Sequence, residues 1–205
     1  MRKFWLLICL AFIFSSQGPL LPGTAATTAN GGTVDWTNPN NVKVDDGVGA
    51  TATDAGTSYL LEATNFGFSI PAGSTIDGIT ATWEAQAVTG LDWASTQQLI
   101  IKGGVIGGPP DGGSVSENVA TTWTVYTDGG VTDKWGTTWT VSDINSSTFG
   151  FGIQFENVGD PSDIEVDYMK LAVTYTEGAT GRTHRVIGYG RGTTRTETLP
   201  FSKGY

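Results

Sequence analysis

Thiol and imidazole groups are almost absent from this 205-residue chain, which has one cysteine and one histidine. Cys9 lies within an N-terminal apolar run that we expect to be removed, so the remaining chain has no thiol nucleophile, thiolate metal site or disulfide. His184 lies in a glycine-rich C-terminal segment where nothing would orient it as a base. Thiol chemistry and a histidine-based triad are therefore disfavoured, and the core and backbone hydrogen bonds must stabilise the fold.

The hydrophobic periodicity of a helix is also lacking. The strongest pattern is the strict alternation of apolar residues with glycine or polar residues within Ser147–Asn157. Apolar side chains have one parity and glycine or polar residues the other: Phe149, Phe151, Ile153 and Phe155 against Gly150, Gly152, Gln154 and Glu156. Period 2 predicts a central strand. Its apolar face must pack against a second layer, because each large side chain contributes roughly 1.5–3 kcal/mol when buried.

Several other segments have a strand pattern. Strands are predicted at Val42–Val44, Asn65–Ile70, Ile79–Ala87, Gln97–Val105 and Ile164–Thr176. Two TTWTV copies, 121–125 and 137–141, flank Asp128-Gly129-Gly130 and predict a hairpin. The parity of the last strand changes near Tyr168 and Met169, which predicts a bulge or bend. About eight strands without a helix predict an all-β, antiparallel, jelly-roll-like β-sandwich.

The N-terminus has the pattern of a secretory signal. Arg2 and Lys3 precede the apolar run Phe4–Phe14, which is too short to span a bilayer. We expect residues 1–25 to be removed by cleavage after Ala25 or Ala26, the alternative being an uncleaved membrane anchor. The remaining boundaries are a flexible lead-in at 26–33, the sandwich at 34–177 and a basic, glycine-rich arm at 178–205.

Charge is distributed unevenly. Residues 26–180 have 19 acidic side chains against four lysines, a net charge of −15, whereas residues 181–205 have five basic side chains against one glutamate, a net charge of +4. An acidic body disfavours nucleic acid and anionic membranes as partners. The basic residues of the arm are predicted to dock on an acidic neighbour, either a second copy or another surface protein: Arg182, Arg185, Arg191, Arg195 and Lys203.

Two sets of residues are candidates for ligand binding. Trp93 and Trp135 fall in predicted loops, where exposed indoles would serve as platforms for sugars; Trp123 and Trp139 share strand faces with valines and are predicted to be core. A second set would line the sheet face opposite the core and leave a smooth surface: Gly67, Ser69, Gly150 and Gly152. That surface is predicted to be either a groove for a ligand, subunit or arm, or a region crowded by another segment of the domain.

Acidic residues suggest calcium as the metal to consider. Asp45 and Asp46, with Asp54 nearby, form one group in the sequence. Asn157, Asp160 and Asp163 form another in a Gly/Pro loop. The alternative in each case is aspartate that only stabilises a turn. Glu84 and Glu156 lie on the polar faces of predicted strands, so they could in principle form an acid/base pair. Neither belongs to an acidic cluster on one strand, and no catalytic residue is predicted.

A family resemblance rests on WTNP at 36–39, NFGFSIPAG at 65–73, WGTTWTVSDIN at 135–145, FGFGIQF at 149–155 and VDYMKLAVTY at 166–175. These motifs resemble the jelly-roll-like β-sandwich domain of secreted bacterial proteins and phage-associated fibre or adhesin-like proteins. The resemblance implies a non-catalytic secreted surface, structural or adhesion protein that self-assembles or binds a surface partner. The alternative is a carbohydrate-binding module that uses loop tryptophans, since the last motif also resembles the closing strand of such modules.

Overall fold

Two antiparallel sheets packed face to face make up the protein in a computed structural model that describes residues 14–88, 93–106, 118–157, 159 and 162–178. The predicted all-β sandwich is thus confirmed. The strands in chain order are β1 (Phe14–Leu20), β2 (Thr24–Thr28), β3 (Ala50–Thr53), β4 (Gly56–Thr57), β5 (Leu60–Thr64), β6 (Thr75–Ala87), β7 (Trp93–Lys102), β8 (Val105–Ile106), β9 (Thr124–Gly130), β10 (Gly150–Asn157) and β11 (Asp163–Thr176).

The strands divide into a five-stranded and a six-stranded sheet. The order in the first is β1-β11-β6-β9, with β3 also paired to β11. The order in the second is β2-β5-β10-β7-β8, with β4 also paired to β10. Most connections cross from one sheet to the other, so residues distant in sequence meet on both outer faces.

The predicted central strand is β10, which lies between β5 and β7. Phe155 meets the edge of Trp83 at 5.5 Å between ring centroids, and Phe151 meets Trp135 at 6.0 Å. Phe149, just before the strand, meets Phe68 at 5.8 Å. Edge contacts of this kind add to simple area burial, and they join the two sheets through one aromatic core.

The predicted irregularity in the last strand is confirmed. Val166 pairs with Ala85 and Met169 with Trp83, so the register between β11 and β6 shifts between these pairs. Asp167 and Tyr168 of β11 therefore face the single residue Glu84 of β6, which is the arrangement of a β-bulge.

Three local predictions are wrong. Residues 65–70 form no strand, although Phe66, Phe68 and Ile70 are buried in alternation. The segment predicted as strand 42–44 overlaps a 3-10 helix, Pro39–Val42, where proline begins a turn that a ladder could not accept.

The predicted TTWTV hairpin does not form either. Strand β9 runs through Asp128-Gly129-Gly130 rather than turning there. The second copy leads into a short helix, α1 (Val141–Ile144), which Thr140 and Asp143 begin with a capping box.

Part of the segment predicted as signal and lead-in has strand structure. Residues 14–28 of the predicted signal and lead-in form β1 and β2, one in each sheet. The rest of the lead-in is hydrogen-bonded rather than free, with Thr33 N donating to Thr57 O at 2.8 Å. Cleavage after Ala25 or Ala26 would thus remove β1 and cut β2. Residues 179–205, with all five basic residues of the predicted arm, lie outside the described residues.

Candidate functional site

The outer face of the six-stranded sheet contains the side of β10 that points away from the core. Gly152 pairs with Glu62 of β5 and with Leu99 of β7, and residues directly opposite share a face. Two residues further along β10, and therefore on the same face, Gln154 pairs with Gln97. A row of carboxylate, glycine, amide and aliphatic groups from three strands is therefore brought together on this face.

The glycines of this face are covered rather than open. A Cβ on Gly152 would lie 3.2 Å from the Leu60 side chain, and a Cβ on Gly150 would lie 2.2 Å from Ala63 O. Both glycines are buried, so the predicted smooth groove is wrong at these two positions. The Leu60 side chain at Gly152 and the Ala63 backbone carbonyl at Gly150 occupy the space that a larger residue would need, which agrees with the alternative of a region crowded by another segment of the domain.

Gly67 and Ser69 do not belong to the same surface. Gly67 is exposed with a φ of +74°, in a segment without strand structure. Ser69 N donates to Gln17 Oε1 at 2.8 Å, so this segment contacts β1 of the other sheet. The four residues predicted as one face therefore lie on two surfaces, because residues 65–70 do not pair beside β10.

An amide cluster lies beside Gly152. Asn30 Nδ2 donates to Gln97 Oε1 at 3.1 Å and to Gln154 Oε1 at 3.5 Å. Gln154 Nε2 in turn donates to Ser58 O at 2.7 Å, and this glutamine is 1% exposed. The buried Gln154 is thus fixed by its neighbours, while Gln97 remains half-buried and Asn30 exposed at the surface.

Glu62 completes the site. Its Oε1 is buried and has no hydrogen-bond partner among the described residues, although the side chain as a whole is only half-buried. A buried acceptor without a partner costs about 1–3 kcal/mol, so such groups call for a donor from outside. We call Asn30, Glu62, Gln97 and Gln154 the polar patch.

The two tryptophans predicted as exposed platforms are buried. Trp93 begins β7, faces inward opposite Asn157 and is 0% exposed. Trp135 lies in a loop as expected but is 1% exposed, and its Nε1 donates to Ile79 O at 2.9 Å. Trp93 belongs to a strand rather than a loop, and burial of the large apolar ring outweighs the loop position of Trp135. The prediction that these rings form an accessible platform is therefore wrong.

Trp123 and Trp139, predicted as core, are both half-buried. Trp139 packs against the core, where it meets the edge of Phe149 at 5.4 Å. Lys102 Nζ lies 5.1 Å from the centroid of the Trp139 ring. No tryptophan is exposed among the residues that the structure describes, so hydrogen bonds rather than stacked indoles define the polar patch.

The predicted metal residues separate in the structure. Asp46 Oδ1 accepts from Val48 N at 3.1 Å, which is the turn-stabilising role. Asp54 lies elsewhere, with its N donating to Ser162 O. Asp163 begins β11 opposite Thr53, and Asp160 lies outside the described residues.

Asp45 alone joins an acidic cluster, with partners that the sequence did not reveal. Carboxylate oxygens of Asp45, Glu84 and Asp167 all lie within 4.8 Å of one another. Burial and the adjacent Asp167 raise the pKa of Glu84. The predicted bulge at 168–169 was the available signal, because a bulge redirects side chains toward the partner strand.

Glu84 and Glu156 cannot act as a pair. Glu84 lies on β6 of the five-stranded sheet and Glu156 on β10 of the six-stranded sheet, each opposite residues that face outward. The core separates them, so no shared cleft exists between these two carboxylates.

The described residues thus define an antiparallel β-sandwich with a polar patch on one outer face and an acidic cluster on the other. No helix in this part of the chain has the length and apolar character needed to cross a membrane. No family model matches the sequence, and no curated protein matches it significantly.

Solved structures similar to this chain include two carbohydrate-binding β-sandwiches. One is a xylan-binding module CBM15, with 13% identity, a TM-score of 0.39 and coverage of 82% of this chain and 100% of that one. Another is a family 11 carbohydrate-binding module from Clostridium thermocellum in complex with a β-1,3-1,4-mixed-linked tetrasaccharide, with 11% identity, a TM-score of 0.32 and coverage of 82% and 90%. Both TM-scores are below 0.5, so these similarities carry no argument about a binding site in this chain.

Proposed function

We propose that the protein is a non-catalytic glycan-binding domain and that the polar patch is its binding surface. The observation that carries the proposal is Glu62 beside Gly152: its buried Oε1 has no hydrogen-bond partner in the part of the chain that the structure describes. The Glu62 side chain as a whole is only half-buried, so a rotation of the carboxylate would bring this acceptor to a sugar hydroxyl at the surface. Binding would satisfy a group that otherwise costs free energy in the folded protein.

The neighbouring amides give the patch both donors and acceptors. The Gln97 amide and the exposed Asn30 amide lie beside the Glu62 row. The Asn30 NH2 group donates to Gln97 and Gln154, so the groups offered to a ligand are the Gln97 NH2 group and the Asn30 carbonyl oxygen. Sugar hydroxyls both donate and accept, so this mixture suits them better than it suits an ion or an apolar ligand.

Charge narrows the class of glycan. Residues 26–180 have a net charge of −15, and the patch itself contains a carboxylate. A polyanionic glycan would be repelled by this field, so we propose a neutral polysaccharide. Xylan and β-1,3-1,4-linked glucan, named with the two similar structures, are suitable first probes.

The test is affinity electrophoresis in gels that contain neutral polysaccharides. We expect at least one glycan to retard the wild-type protein and Glu62→Gln to weaken binding by about tenfold, since a hydrogen bond to a charged acceptor contributes roughly 1.5–3 kcal/mol. Gln97→Ala should weaken binding by a smaller factor. Glu165→Gln is the matched control, because Glu165 lies on the other sheet and accepts from Gln86 Nε2. Retention that Glu62→Gln leaves unchanged would contradict the proposal.

We further propose that the protein acts outside the cell, on the basis of Arg2, Lys3 and the apolar run that follows. The opposed charges of body and arm support a second role in surface attachment or self-assembly, with the basic arm bound to an acidic neighbour. Light scattering after size exclusion tests this role. Assembly that disappears when residues 179–205 are deleted would support it, and two monomeric proteins would contradict it.

A further inference from the structure

The bulge in β11 places an aspartate where an ordinary strand would have none. Val166 and Met169 on either side both face the core and are fully buried. The two residues between them face one residue of β6, so Asp167 is directed toward Glu84. An interior position usually taken by an apolar or paired group thus contains a carboxylate.

A loop from a third element closes over this carboxylate. Lys43 forms an isolated antiparallel bridge with Tyr168, which fixes the start of the loop against the bulge. Asp46 N then donates to Asp167 Oδ1 at 3.3 Å, and Asp45 directs its carboxylate into the cluster. The three acidic side chains therefore come from the loop, β6 and β11.

The charges of the cluster are not balanced by the protein. Lys170 Nζ lies 2.7 Å from Asp45 Oδ2 and offsets one negative charge. Asp167 is 1% exposed, and its Oδ2 has no hydrogen-bond partner among the described residues. A buried carboxylate oxygen without a partner among the described residues, next to two further carboxylates, is strongly unfavourable unless a proton or a cation is shared among them, and burial and the charge of Asp167 already raise the pKa of Glu84.

We infer that Asp45, Glu84 and Asp167 bind a calcium ion. The donors are all carboxylate oxygens, which suit hard cations rather than zinc or copper. Calcium accepts irregular arrangements of six to eight oxygens, whereas magnesium requires near-octahedral geometry. Ligands from three elements in an irregular bulge therefore favour calcium, with water completing its coordination.

The bound ion would hold the loop to the bulge and to the adjacent strand. It would relieve repulsion between Glu84 and Asp167 and satisfy Asp167 Oδ2. This site lies on the five-stranded sheet, and the polar patch lies on the six-stranded sheet. The inference is therefore independent of the proposed function, and glycan binding should persist without calcium wherever the protein remains folded.

The test measures calcium binding by calorimetry and thermal unfolding on the full chain after removal of metal with a chelator. We expect measurable heat and a rise in Tm of roughly 5 °C or more once calcium exceeds its Kd by about 100-fold, with a much smaller response to magnesium. Asp167→Asn and Glu84→Gln should abolish the heat and the rise. Without calcium, both variants should unfold at a higher temperature than the wild type, because repulsion is relieved.

Asp46→Asn is the matched control. It removes one charge from the same loop, but its side chain stabilises the turn at Val48 and lies outside the cluster, so calcium binding should be retained. Lys170→Met provides a variant that keeps all three carboxylates and should tighten binding by roughly threefold or more, because the competing ammonium is gone. Calcium at about 10 mM exceeds the Kd of typical protein sites. If it produces neither heat nor a shift in Tm, or if Asp167→Asn responds as the wild type does, the inference is overturned.

Discussion

Trp135 is held inside the sandwich by features of its own loop. Asp133 Oδ1 accepts from Trp135 N at 2.7 Å. The indole packs so closely on Gly129 that a Cβ there would lie 2.6 Å from Trp135 Nε1. A small residue at 129 and a short polar turn thus allow a loop tryptophan to become a core residue that donates to Ile79 O.

Trp135→Phe should lower the free energy of unfolding by about 2–3 kcal/mol, because it removes a buried hydrogen bond and leaves part of the indole volume empty. Urea unfolding measures the change. Trp123→Phe is the control, since Trp123 is half-buried and should cost less. Equal losses in the two variants would show that burial of Trp135 is not what stabilises the loop.

Residue-scale features account for most of what sequence reasoning missed at the site. Glu62 precedes Ala63 in a short strand, and nothing in the sequence indicates that its carboxylate lies beside Gly152. The predicted exposure of Trp93 and Trp135 is wrong, because a position in a predicted loop does not determine whether a ring is exposed. Pairing between distant strands decides both outcomes, and that information is absent from a local pattern.

The short helix α1 is an element fixed by capping rather than by length. Thr140 Oγ1 accepts from Asp143 N at 3.1 Å, and Asp143 Oδ2 accepts from Thr140 N at 2.9 Å. Lys102 Nζ lies 3.3 Å from the same carboxylate. Burial alone would raise the pKa of Asp143, but the hydrogen bonds from Thr140 and the charge of Lys102 lower it.

Asp143→Asn should therefore destabilise the protein by about 0.5–1 kcal/mol at neutral pH. A lowered pKa in the folded state means that the contribution is present above the unfolded-state pKa and is lost as pH falls through the folded-state pKa. The difference in the free energy of unfolding between the two proteins should shrink as pH falls below the ordinary aspartate pKa of about 3.9 and vanish once pH has passed the lowered folded-state pKa. Thr138→Ala, an exposed neighbour, serves as control. A difference that is constant with pH would contradict this account.

At the level of elements, strands with unbroken parity were predictable and segments with turn residues were not. Ile79–Ala87 lies within the longer β6, and 149–155 falls largely within β10, because alternation and burial agree there. The bulge in β11 was visible as a change of parity. Residues 65–70 alternate equally well, yet Asn65 and Gly67 have φ values of +59° and +74°. These left-handed conformations are incompatible with a regular ladder.

At the scale of the whole molecule, the N-terminal strands join both sheets. The β1 strand lies at the edge of the five-stranded sheet beside β11, and β2 lies at the edge of the other sheet beside β5. A processed protein that began at Ala26 would expose the β11 edge and lose the contact between Gln17 and Ser69. We therefore expect any leader to end upstream of β1.

Deletion of residues 1–25 should lower the free energy of unfolding by several kcal/mol, since strand pairing and buried contacts are lost together. Deletion of residues 1–13 is the control and should leave stability close to that of the full chain. If the N-terminal segment is cleaved, the intact mass of the protein isolated from its natural source gives the cleavage site directly. A natural N-terminus at Ala26 or Thr27 with undiminished stability would contradict this placement.

The fold class was predictable for the whole molecule, since alternating strands and turn residues suffice for a sandwich. The pairing order was not, because it depends on which distant strands fit together. Consequently the sequence placed Asp45 with Asp46 and Asp54, whereas the sheets place Asp45 with Glu84 and Asp167. Surface chemistry in this protein follows from topology more than from neighbouring residues.

Hydrogen–deuterium exchange with a retained neutral glycan tests the central claim, glycan binding at the polar patch, most directly. We predict slower exchange in Leu60–Thr64 and Gly150–Asn157 on addition of the glycan, and a clearly smaller effect in Glu62→Gln when the glycan concentration is close to the Kd of the wild type. Segment Asp163–Thr176 of the opposite sheet should be unchanged. Protection confined to the five-stranded sheet, or protection that Glu62→Gln leaves intact, would contradict the account.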